Sequence, residues 1–158
     1  METEKDNENT EWMLADEIEL VYKTRIKPAD RPKIRNASDA CRLFRLHWRG
    51  DKIDLVEQCK ILVLNNAQYV LGIMDISSGS AIGTVVDTKL IFAAALKANA
   101  SRVVVCHNHP SGNIKPSFND EVITQKIKSA GLLLDIVLVD HIILTSKGYF
   151  SFADEGML

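Results

Sequence analysis

Apolar residues fall along this chain in two kinds of block. Residues 57–64 (EQCKILVL), 69–76 (YVLGIMDI), 102–106 (RVVVC) and 149–152 (YFSF) are short runs rich in β-branched, leucine and aromatic residues. Their bounding Asn, Gly, Ser and Asp residues mark them as strands. The first two flank Asn65-Asn66-Ala67-Gln68 and predict a hairpin. Residues 103–106 are apolar without alternation, which predicts a strand buried on both faces. Residues 132–144 hold one or two further strands, and residues 17–26 (EIELVYKTRI) read as an edge strand. Helical spacing appears elsewhere. Ser38 reads as an N-cap, with Leu43, Phe44 and Trp48 on one packing face and Gly50 as the stop. Asp87 caps a helix ending near Asn99, whose packing face is Leu90, Ile91, Ala94 and Ala95. Ser117 caps a helix over residues 117–130, with Asp120 at its third position and Gly131 as its stop. Residues 27–36 and the small-residue stretch 77–84 (SSGSAIGT) read as loops. The expected fold class is therefore α/β: a mixed, largely antiparallel sheet flanked by helices.

Composition narrows this picture. The first twelve residues (METEKDNENTEW) are charged and poor in apolar side chains, so residues 1–12 are expected to be a disordered tail and 13–158 one domain. A formal net charge of −2 gives no general attraction to nucleic acid or an acidic membrane. A basic stretch of Lys23, Arg25, Lys27, Arg31, Lys33 and Arg35 reads first as a solvated loop. Cys41, Cys59 and Cys106 are odd in number, widely spaced and set in apolar patterns. They predict buried free thiols and a reducing, cytoplasmic setting rather than a disulfide framework. No run approaches the ~18 apolar residues of a membrane span, so no membrane partner is expected.

The candidate chemistry lies in residues 107–120, HNHPSGNIKPSFND. In an extended strand, residues i and i+2 point to one face, so His107 and His109 aim at one point while Asn108 points away. Pro110, Ser111-Gly112 and Pro116 fold the chain back, which lets Asp120 supply a third ligand. Two nitrogens and one oxygen leave a fourth tetrahedral position open, as in a catalytic rather than a structural zinc site. The same ligand types allow a non-haem iron, but Ser117 and the spacing of the group do not call for one. Zinc deaminases need H-x-E with P-C-x-x-C, and zincins need H-E-x-x-H; neither occurs here. His141, inside an apolar stretch, reads as a satisfied core histidine or one backing a ligand, with substitution as a ligand the alternative. His47 reads as a surface histidine.

H-x-H-P followed by S-x-x-D, with Ser117 eight and Asp120 eleven residues after His109, resembles the JAMM motif of JAB/MPN-type zinc metallopeptidases. The wording HNHPSG, with DTKLIFAAALKANA before it and DHII and YFSF after it, is similar to the RadC-like branch, whose members are labelled DNA repair proteins. The resemblance covers roughly residues 17–155. It implies the deaminase-like JAB/MPN architecture and a Zn2+ cofactor. It also implies hydrolysis of an amide or isopeptide bond in a protein or peptide substrate. The matching general base is Glu57, with Glu17 and Glu19 as competitors. Ser117 would steady the oxyanion as well as cap its helix. The label raises a second expectation, a DNA-repair or mobile-element accessory protein acting by binding DNA or protein partners. No helix-hairpin-helix segment precedes the motif, and the net charge gives DNA binding no support.

Overall fold

The computed structural model describes residues 23–79 and 86–158. Among the described residues, five strands form one sheet: β1 (Gln58–Leu64), β2 (Val70–Ser78), β3 (Arg102–Asn108), β4 (Val137–Leu144) and β5 (Tyr149–Ser151), in the order β2-β1-β3-β4-β5. The β1–β2, β1–β3 and β4–β5 pairs are antiparallel, while β3 and β4 run parallel. Among the described residues, three α-helices cover the sheet: α1 (Ala37–His47), α2 (Thr88–Lys97) and α3 (Phe118–Leu133). The expected mixed, largely antiparallel α/β class is what folds.

β3 is central, which explains its unbroken apolar run: each face meets a different core. Val104 and Cys106 pack with Phe44 and Cys41 of α1, together with Leu62, Ile142 and Leu144. Val103 and Val105 pack with Ile91, Phe92 and Ala95 of α2 and Ile127 of α3. All three cysteines are buried free thiols. Burial pushes the Cys59 thiol up to about 12 and Cys106 well above its ordinary value. β1 carries one charged intruder. Lys60 is buried, pairs with Asp75 of β2 and lies 4.8 Å from the Trp48 ring centroid. Among the described residues, no helix is long and apolar enough to cross a membrane.

Several boundaries differ from the sequence expectation. α1 is capped by Asn36, not Ser38: the Asn36 side chain accepts from Asp39 N at 2.9 Å, so Ala37 is already helical. The helix stops at His47, before Gly50, because Trp48 turns extended and buries its ring. β2 runs on through Ser77 and Ser78, which were expected in the following loop; residues 80–84 of that loop lie outside the described residues. Only residues 23–26 of the expected edge strand are described, and they are not a strand. The tail, 1–12, also lies outside them. In α2 the packing face is Ile91, Phe92 and Ala95, while Leu90 is half exposed. Leu90 sits one 100° step from Ile91, off the face set by 91 and 95.

Gly131 does not stop α3; the helix continues to Leu133, and Asp135 takes the left-handed turn (φ 54°). The glycine is needed for close approach: a Cβ there would stand 2.2 Å from the Ile136 carbonyl oxygen, backbone that cannot swing away. Gly131→Ala is expected to cost about 3 kcal/mol by overpacking, or about 6–12 °C in Tm. A calorimetric scan showing an unchanged Tm would refute this.

Candidate metal centre

β3 delivers both histidines to the face shared with α2 and α3. Cys59 of β1 lies opposite His107, and Ile143 of β4 lies beside it on the other edge. Just past the strand, His109 N donates to Leu144 O at 3.0 Å, so the alternation carries through to His109. Gly112 N donates to His109 O, and Gly112 takes the left-handed conformation (φ 79°) that turns the chain. α3 then begins with Ser117 as N-cap. Ser117 Oγ accepts from Asp120 N, while Ser117 N and Oγ each donate to Asp120 Oδ2 at 2.7 Å. This reciprocal box aims the Asp120 carboxylate back at the histidines.

His107, His109 and Asp120 thus form a group that could hold a metal ion. The two Nε2 atoms are 3.0 Å apart, His107 Nε2 is 3.1 Å from Asp120 Oδ1, and His109 Nε2 is 3.6 Å from Oδ2. Two ligands about 2.0–2.1 Å from a tetrahedral ion stand about 3.3–3.4 Å apart, so the donor atoms fit one. His107 is buried, and the His109 and Asp120 side chains are only 14% and 15% exposed.

Hydrogen bonding behind the site fixes which nitrogen faces it. The Thr124 hydroxyl donates to Asp120 O at 2.6 Å, so toward His141 Nδ1, also at 2.6 Å, it must accept. Burial holds His141 well below its ordinary pKa, aided by His107, and it is neutral. With its proton on Nδ1, His141 Nε2 accepts from His107 Nδ1–H at 2.8 Å. His109 Nδ1 donates to Asn113 O at 2.7 Å. Both Nε2 lone pairs therefore converge with a carboxylate on one point, an arrangement that calls for a cation. The pKa values carry the same strain. Hydrogen bonding to Asp120 raises His109 against the burial that lowers it. Burial raises Asp120, yet its bonds to His107 and His109 overcome this and hold the carboxyl far below the ordinary range.

Glu57 immediately precedes β1. It lies two residues before Cys59, on the face of His107 and His109, and its charge contributes to raising His109. Its backbone is held on both sides. Gly79 N donates to Glu57 O, and the buried Asn108 side chain accepts from Gln58 N and donates to Ile53 O and Val56 O. Glu17 and Glu19 lie outside the described residues. The sequence reading had turned Asn108 away from the site without giving it this task, and it missed Thr124. A threonine four residues after Asp120, able to bond back to its carbonyl, was the available signal.

A family model described as RadC-like JAB domain matches residues 34–157. This chain belongs to the RadC-like JAB domain family. Named relatives include a UPF0758 protein of Flavobacterium johnsoniae, 45% identical over 101 residues (64% of this chain, 44% of the relative). One of Thermotoga maritima is 41% identical over 102 residues (65% and 46%). One of Clostridium tetani is 34% identical over 142 residues (89% and 61%). The chain spans about half the length of the first two of these relatives.

For this RadC-like JAB domain the Thr124–His141 chain has a measurable consequence. Thr124→Val strands the His141 Nδ1–H in the core. His141 then gains by moving its proton to Nε2, which forces the His107 proton onto the ligating atom. Metal affinity is expected to fall about 10–100-fold, with Thr124→Ser restoring it, in competition against a chromophoric chelator. Equal affinity in Thr124→Val would show that this chain does not hold the tautomer.

Proposed function

We propose that this RadC-like JAB domain is a zinc-dependent peptidase or isopeptidase. The observation that carries the reading is the convergence of two tautomer-locked imidazole lone pairs and one carboxylate, with Glu57 on the same face. When bound by His107, His109 and Asp120, zinc would lower the pKa of a water to about 7 and polarise an amide carbonyl. The chain's residues would do the rest. Glu57 takes the proton released during attack and returns it to the leaving nitrogen. Ser117 spends its hydroxyl proton on Asp120 in the resting arrangement, which orients the ligand; on rotation it faces the developing oxyanion, beside the positive end of α3. His141 and Thr124 keep the His107 proton away from the ligating nitrogen.

The test is the metal content of protein purified without added metal, combined with mass-spectrometric digestion of a peptide library. About one zinc per chain is expected, with cleavage that stops on chelation and returns with zinc. No zinc uptake even when zinc is supplied, or cleavage that survives metal removal, would overturn the proposal.

A further inference from the structure

A second charged feature lies on the other face of the sheet. A groove of about 540 Å³ runs between α1 and the turn joining β4 to β5, within the size range of small-molecule sites. Arg42, Arg45 and Lys147 line it together with Ser38 and Tyr149, and among the described residues no carboxylate does. Among the described residues, none of these three cations has an acidic partner within ion-pair distance. Arg42 and Arg45 are three apart on one helix, so they are neighbours of like charge, and Lys147 adds a third charge from across the groove. Arg45 is also fixed in place: its guanidinium donates to Gly148 O at 3.1 Å. Thr145 N donates to Gly148 O as well, so the turn that carries Lys147 is closed rather than loose. Cations with no acidic partner among the described residues, gathered around a concavity, repel one another and favour an anion between them.

We propose that this groove binds the phosphates of a phosphate-bearing ligand. Two guanidinium groups and an ammonium supply the charge for more than one phosphate. The Ser38 and Tyr149 hydroxyls can add neutral donors to a group that presents several acceptor oxygens. A lone carboxylate would leave most of these donors unused. Leu144, which directly precedes the turn, accepts the backbone hydrogen bond of His109. The phosphate groove and the metal centre therefore share one end of the sheet on opposite faces. The inference does not depend on the peptidase reading, since none of the groove residues belongs to the metal centre.

The experiment is titration calorimetry of the full chain with three probes: pyrophosphate, ATP and a ten-nucleotide single-stranded DNA. It compares wild type with Arg42→Glu/Lys147→Glu and with Lys97→Glu/Lys126→Glu. The second pair makes the same charge change at exposed positions on α2 and α3. All three proteins keep the metal triad, so phosphate taken by a metal ion is common to them. Binding at least about tenfold weaker in the groove variant alone is expected, the loss of one or two charge-assisted hydrogen bonds. Binding of pyrophosphate and ATP identifies free phosphates as the source. Binding of the oligonucleotide alone, falling steeply with salt, identifies a nucleic-acid backbone. No binding of any probe at low salt, or equal weakening in both charge variants, would overturn the proposal.

Discussion

Glu57→Gln is expected to leave one metal ion bound per chain while slowing the proposed peptide hydrolysis about 10²–10⁴-fold, the range removed with a general acid–base group. Glutamine matches glutamate in size and leaves the Gly79 N to residue 57 O bond and the Asn108 clamp intact, so the strand start should not move. What it lacks is a site that can accept the proton of the attacking water and pass it to the leaving nitrogen. The paired readouts separate the causes. Hydrolysis lost with metal retained assigns Glu57 to proton transfer. Undiminished hydrolysis would remove Glu57 from the mechanism, and metal lost along with activity would mean that it serves the ion instead.

Asp120→Ala is expected to weaken metal binding by about two orders of magnitude. If a site of this kind binds with about 10 kcal/mol shared by three protein ligands, each contributes about 3 kcal/mol, or about a hundredfold. The substitution also removes the acceptor for Ser117 N and Oγ, half of the reciprocal cap, at about 1 kcal/mol of stability. Equilibrium dialysis against zinc would check the affinity; binding as tight as wild type would dissolve the proposed ligand set. The same side chain shapes the metal-free protein. Asp120 is held below its ordinary pKa, so its contribution is present above about pH 4 and lost as pH falls further. His109 is raised, so its contribution is full below about pH 6.5 and lost as pH rises through its raised value. Metal-free protein is therefore expected to be most stable between these limits. Asp120→Ala should flatten that maximum in a series of melting curves.

The sequence was most legible where one local rule decides the outcome. The apolar run before His107 had to be a strand buried on both sides, because no alternating face was offered to water. The Ser117–Asp120 cap was legible because both partners lie within one helical turn. For the same reason the spacing of His107, His109 and Asp120 could be read as one group able to hold a metal ion: strand alternation, a turn and a capped helix bring them together within fourteen residues. The errors fell where neighbours compete. Asn36 outbid Ser38 as a cap by accepting from Asp39 N, and Trp48 ended α1 early by turning into the core. Gly131 looked like a helix stop, but its missing Cβ serves the approach of the Ile136 backbone.

By itself, then, the chain's own order determined the buried strand that leads to His107, the helix that carries Asp120 and the residues of the candidate centre, through forces acting over a few residues. Tertiary structure alone decided the rest. It placed Glu57 on the histidine face, because β1 pairs with β3 across almost fifty residues of chain. It also made Asn108 a clamp, and it let Thr124 and His141 choose the tautomer of His107. Those roles depend on buried polar groups finding partners across the sheet, and a buried donor or acceptor is satisfied only by whatever the fold brings within about 3 Å of it.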